Sequence, residues 1–210
     1  MSVESDVQSG AHAAAAAAPA APAANPALLG LATFLPGAIS LGLWLVGYLP
    51  AAQVGAIVPA VVFSSGLFLL VSTVWASRTP GMSAVAAILG TFSAFWLSLG
   101  VAIAAITNGW LGLTPTNALL PTFLISWLIV FVALTLATLR LPLAFTAGFL
   151  FVDIAVALVL ANVLSASAIF ATLGGIAVFV FCAIFAYIWF DAMGQELGGR
   201  AMAMGNPVQH

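Results

Sequence analysis

Between Asn25 and Phe190 the chain carries only three formal charges, Arg78, Arg140 and Asp153. No other feature constrains the fold as much. A soluble domain has roughly 25% charged residues, whereas this chain of 210 residues has 4%, with 64% hydrophobic residues and a mean hydropathy of +1.26. So few charges cannot cover a water-facing surface of this size. Lipid has to be the solvent for most of the chain.

The same composition excludes several kinds of chemistry. The three basic residues are all arginine, so no basic face for nucleic acid can be built. Without lysine there is neither a Schiff base to a cofactor nor a Lys-containing phosphate loop. Cys182 is the only cysteine, and His12 and His210 both lie in the tails. The apolar body therefore lacks the usual ligands for zinc or haem, and no metal or other cofactor is expected. Intramembrane hydrolysis needs a Ser–His pair, paired aspartates or a metal cluster, which makes an enzyme a poor reading.

Residues 1–24 are low in complexity, with an AHAAAAAAPAAPAA run. They have neither the basic start nor the bulky apolar stretch of a secretory signal, and read as a disordered tail. From residue 25 onward, turn residues divide the apolar sequence at regular intervals. The pattern predicts six helices, over 28–49, 54–76, 82–106, 118–139, 142–164 and 168–190. Each is close to the ~20 residues that cross a bilayer core. The expected organisation is a tail over 1–24, an all-α six-helix transmembrane domain over 25–190 and a C-terminal extension over 191–210.

Six spans put Arg78, Arg140 and Arg200 on one side. The positive-inside rule assigns that side, with both termini, to the cytoplasm. Asn25 directly before Pro26 is a helix start, with a capping side chain and a proline where the missing N–H does no harm. Gly30, Gly37 and Gly42 thin the first helix for close packing. Pro59 should kink the second helix or free a carbonyl. On the third helix, Thr91, Phe95 and Ser98 fall near one face. They could line a path, or their hydroxyls could bond carbonyls of the preceding turn.

Asp153 sits within the apolar run LAFTAGFLFVDIAVALVLANVL. Ionising a carboxyl there costs about 2.5–3.5 kcal/mol even on the lenient insertion scale. Three readings stay open for it. It could be a proton site loaded from one side and emptied to the other, a neutral acid bonded to a Ser or Thr of a neighbouring helix, or a group in a hydrated cavity that repels anions. Near the C-terminus, Glu196 and Arg200 are spaced to pair on an amphipathic extension of the sixth helix, with Asp191 on the same solvated stretch.

The segment Asn25-Pro26-Ala27-Leu28-Leu29-Gly30-Leu31 resembles the Asn-Pro-Ala-Pro-Leu-Gly-Leu signature of the acetate uptake transporter family, the YaaH-type acetate/succinate–proton symporters, with Leu28 in place of the second proline. Thr91-Phe92-Ser93-Ala94-Phe95-Trp96-Leu97 is similar to that family's Ser-Tyr-Gly-Ser-Phe-Trp-Leu stretch. The likeness continues at Leu111-Gly112-Leu113-Thr114, at Thr138-Leu139-Arg140, and from Tyr187 to Glu196-Leu197-Gly198-Gly199-Arg200. It spans nearly all of residues 25–205 in order. The chain departs from the pattern at Phe92, where a Tyr is usual, at Ser64-Ser65-Gly66, where the second helix usually has a Tyr, at Ser77, nearest to a missing acid, and at Asp153. These departures bear on the substrate and spare the scaffold.

The resemblance implies a homohexamer in the plasma or inner membrane, with a narrow path in each protomer for a small monocarboxylate such as acetate and a proton. The residues expected on that path are Asn25, Leu31, Phe34, Thr91, Phe92, Phe95 and Trp96, with Phe34 matching the family's constriction aromatic. Asp153 is the candidate for proton coupling. A channel for small neutral solutes such as urea or short amides is the alternative, and a purely structural membrane protein a third reading.

Overall fold

The computed structural model describes residues 25–112 and 118–209. The expected tail over 1–24, the motif residues Leu113 and Thr114 and the terminal His210 lie outside them. Six helices cross the length of a bilayer: α1 (Pro26–Leu45), α2 (Ala51–Ser77), α3 (Ser83–Asn108), α4 (Leu119–Thr138), α5 (Leu143–Ser165) and α6 (Ala168–Glu196). The described residues contain no strand. The protein is an all-α, six-helix membrane protein, as its sequence predicts.

The ends differ from expectation where glycine decides. α1 stops at Leu45 rather than 49, because the chain turns at Gly47 with φ +83°. α3 ends at Asn108 on Gly109, whose φ is +67°. α6 runs on to Glu196, six residues past its expected end. At its other end α1 begins as predicted, with Ala27 N–H donating to Asn25 Oδ1 at 3.1 Å and Pro26 in the first turn.

α2 is not one regular helix. It opens as a 3₁₀ segment over Ala51–Ile57, widens to a π-helix over Ala60–Leu67 directly after Pro59, and becomes α-helical only from Phe68 to Ser77. α1 carries its own interruption at Pro36. A proline removes one ladder bond and crowds the preceding turn, and inside lipid the freed groups must find other partners. Here the two irregular helices satisfy each other. Gly37 N–H donates to Ser65 Oγ at 3.1 Å. Ser64 Oγ lies 3.0 Å from Thr33 O, and Ser65 Oγ lies 3.1 Å from Thr33 O and 2.8 Å from Phe34 O. A methyl group at Gly37 would overlap the Ser65 side chain, so the close approach depends on glycine there. On the far side of α2, Ser93 Oγ donates to Gly66 O at 2.9 Å and ties α3 to the π-helical turn.

The helices form a ring in which α1 packs on α2 and α6, α6 on α5, α5 on α4, and α2 on α3. α3 and α4 meet through aromatic side chains: Phe95 against Phe123, Trp127 and Phe131, and Phe92 against Phe131. The arginines Arg78, Arg140 and Arg200 all follow helix ends at the same end of the ring, here called the lower end.

The C-terminal segment returns across that lower end. Met202 N–H donates to Asp191 Oδ1 at 2.6 Å, Tyr187 O–H to Ala203 O at 2.9 Å, Ala144 N–H to Met204 O at 2.9 Å, and Gln209 N–H to Leu139 O at 2.9 Å. Two sequence expectations change here. Asp191 is only 6% exposed rather than solvated, and it also accepts from Gln195 Nε2 at 2.7 Å. Arg200 lies beyond the end of α6, after the turn at Gly198 (φ +84°), so it does not share a helix with Glu196.

Candidate functional site: an aromatic septum between two cavities

Two cavities open inside the ring, one above the other. The upper one, about 230 Å³, is walled mainly by α1, α3, α4 and α5 and extends to Thr107 and Asn162 at the upper end. The lower one, about 260 Å³, reaches from Asn25 and Ala192 at the arginine end up to Phe149 and Phe185. Each far exceeds the roughly 10–15 Å³ needed to hold one water. Only Phe34 and Phe92 belong to both walls.

These two rings are the septum. They meet edge to face with centroids 5.2 Å apart. Phe34 also contacts Trp96 at 5.8 Å, Phe181 at 5.9 Å and Phe185 at 5.4 Å. Phe92 is stacked on Phe131 at 5.2 Å and lies 5.6 Å from Phe149. The backbone that aims Phe34 is the turn interrupted by Pro36 and held by Ser65. Aromatic pairs of this kind contribute about 0.5–1.5 kcal/mol each beyond buried area. Swinging Phe34 aside therefore costs on the order of a few kcal/mol, which leaves an open state populated at roughly 0.1–10%.

Both walls are almost entirely apolar. Asn25 is the one polar side chain on the lower wall, and its Oδ1 is used as the α1 cap. The upper wall has Thr107 and Asn162 at its rim and the indoles of Trp44 and Trp96. Neither wall includes a charged residue.

Of the residues the sequence marked for the path, Asn25, Leu31, Phe34 and Phe92 lie on the lower wall, and Phe34, Phe92, Phe95 and Trp96 on the upper. Thr91 is on neither; its hydroxyl donates to Ala87 O at 2.9 Å. Ser98 likewise turns to Ala94 O at 2.7 Å. The stripe of α3 that faces the cavities runs through Phe92, Phe95, Trp96, Leu99, Ile103 and Ile106, rotated from the Thr91–Phe95–Ser98 face. Asp153 is also on neither wall. It stands at the α4–α5 seam, where Thr135 Oγ1 donates to its Oδ2 at 2.7 Å, and Oδ1 is buried with no partner among the described residues. A ladder of threonines continues from it: Thr138 Oγ1 donates to Thr135 O, and Thr146 Oγ1 to Thr138 O. Asn162 and Pro36 had drawn no attention in the sequence, each being a single residue inside an apolar run. Among the described residues, no group of three His, Cys, Asp or Glu side chains is placed to hold a metal.

A family model described as the GPR1/FUN34/yaaH family matches residues 7–197 of this chain. Among solved structures, the chain is similar to one titled "Structure of the bacterial acetate channel SatP", with a TM-score of 0.78 and 22% identity over 87% of this chain and 99% of that one. A search of curated proteins returns no match.

Proposed function

Because the chain belongs to the GPR1/FUN34/yaaH family, we propose that it conducts acetate and similarly small monocarboxylates across the membrane, through one path in each protomer. The observation that carries this reading is the pair of stacked cavities whose walls share Phe34 and Phe92. The fold it shares with the acetate channel supports the same assignment. In a path with no fixed charge, binding is weak enough for release, as conduction requires. The apolar septum excludes large and strongly hydrated solutes, because a carboxylate stripped of water without donors is expensive to move. A short acid that carries a proton passes at much lower cost.

In this proposal transport is proton-coupled and Asp153, the one acid between Asn25 and Phe190, is the coupling group. The arginine end faces the cytoplasm of a cell with the protein in its plasma or inner membrane, residues 191–210 lie on that side, and six copies assemble. The alternative of a urea or amide channel is separated from this one by a flux assay in proteoliposomes. Acetate, succinate, lactate and urea are compared with and without an imposed pH gradient. The proposal expects acetate to pass fastest and to follow proton supply. Urea flux above that of acetate and indifferent to the gradient would favour the alternative.

A further inference from the structure

Asp153 lines neither cavity, yet its hydrogen bond ties together the two helices that brace the septum. α4 runs down towards the arginine end and α5 climbs back from it, so Phe131 lies one turn above Thr135 and Phe149 one turn below Asp153. Phe131, in the upper wall, is stacked on the septum ring Phe92, and Phe149, in the lower wall, lies against the same ring. The bond from Thr135 Oγ1 to Asp153 Oδ2 at 2.7 Å joins α4 to α5 between these two braces.

Thr135 departs from the habit of the hydroxyls higher on its helix. Thr122 and Ser126 donate to the carbonyls four residues before them, as Thr91 does on α3. For Thr135 that acceptor would be Phe131 O, but its proton goes to Asp153 instead. A neutral acid changes this. A carboxyl proton on Oδ1 would be buried with no acceptor among the described residues, whereas on Oδ2 it is donated to Thr135 Oγ1. The threonine proton then turns to Phe131 O, and back-bonding of this kind bends a helix.

We propose that Asp153 and Thr135 are positioning residues for the septum: a proton taken up at Asp153 reverses the bond between them, bends α4 at Phe131 and loosens the hold of that ring on Phe92. This rests on the transport reading above, in which Asp153 couples the proton, and adds how an acid outside the path acts on the barrier within it. α5 packs on α4 and α6. α4 has no ionisable side chain and α5 has only Asp153. On α6, Cys182, Tyr187, Asp191 and Glu196 make no bond to Asp153 among the described residues. The switch is therefore set by Asp153 itself.

The test is ¹⁹F NMR of the full-length protein, carrying 4-fluorophenylalanine in place of Phe131 and titrated with pH. Infrared difference spectra follow in parallel the protonated-carboxyl band that Asp153→Asn removes. With the native Asp153 and Thr135, the fluorine resonance should shift with pH at the same midpoint as that band. Asp153→Asn and Thr135→Val should each abolish the shift, and Thr135→Ser, which keeps the hydroxyl, should retain it. A tie that only stabilises the fold would leave the resonance indifferent to pH, which overturns the proposal. So does a shift that survives in folded Thr135→Val, or the lack of any pH-dependent carboxyl band from Asp153; acetate flux above empty vesicles would in those cases leave the transport reading standing. The expected shift in a protein that gives no such flux would uphold the switch and sink the transport reading.

Discussion

Phe34 is held where it is by groups that the path itself does not contain. Its carbonyl lies 2.8 Å from Ser65 Oγ, in the turn where Pro36 leaves the helix short of a donor. Ser65 is fully buried. Ser65→Ala removes its hydroxyl and strands Gly37 N–H, which should destabilise the fold by about 1–3 kcal/mol. A lowered unfolding temperature in detergent, together with altered solute selectivity, is the expected result. In the sequence, Ser64-Ser65-Gly66 appeared only as small residues replacing an aromatic one. Their task depends on Pro36, some thirty residues away, and no local pattern shows that. Asp153 was legible as an anomaly, and its Thr135 contact on the neighbouring helix was one of the readings open to it. If Asp153 couples protons to transport, Asp153→Asn should abolish uphill acetate accumulation under an imposed pH gradient and spare downhill flux. Wild-type accumulation in that variant would remove Asp153 from the mechanism.

At the scale of elements, hydropathy and turn residues place all six helices, because span length is dictated by bilayer thickness. They do not reveal helix geometry. The π-helical stretch over Ala60–Leu67 has no compositional mark beyond Pro59 at its start; it forms where α1 and α3 both draw on it through Ser65, Ser64 and Gly66. Rotation about a helix axis is equally hidden when nearly every face is apolar. That is why Thr91 was expected on the path and is found bonded to Ala87 instead. The C-terminal segment shows a third limit. Asp191 looks solvated by composition, yet it is buried because residues 202–209 return beneath α4 and α5. Hydrogen bonds to a charged group contribute about 1.5–3 kcal/mol. Asp191→Ala, which removes two of them, should lower the unfolding temperature and speed proteolysis of the C-terminal segment. Unchanged protease sensitivity would show that the segment is held by other contacts.

For the whole molecule, the ring of helices leaves long apolar side chains facing outward on every side, including Ile129, Leu136, Ile169 and Phe190. Lipid or neighbouring copies must cover them. Native mass spectrometry in mild detergent should give a particle of six chains, and a monomer as the largest species would contradict the proposed assembly. The path itself does not depend on assembly, since both cavities and the septum are built within one protomer. Phe34 and Phe92, which the two cavity walls share, are the barrier in the proposed path. Tracer flux of acetate and lactate through proteoliposomes with wild-type protein or Phe34→Ala tests it most directly. The expected result is saturable acetate flux in the wild type and, in the folded variant, a severalfold rise in lactate flux relative to acetate. An unchanged lactate-to-acetate ratio in the variant would contradict it.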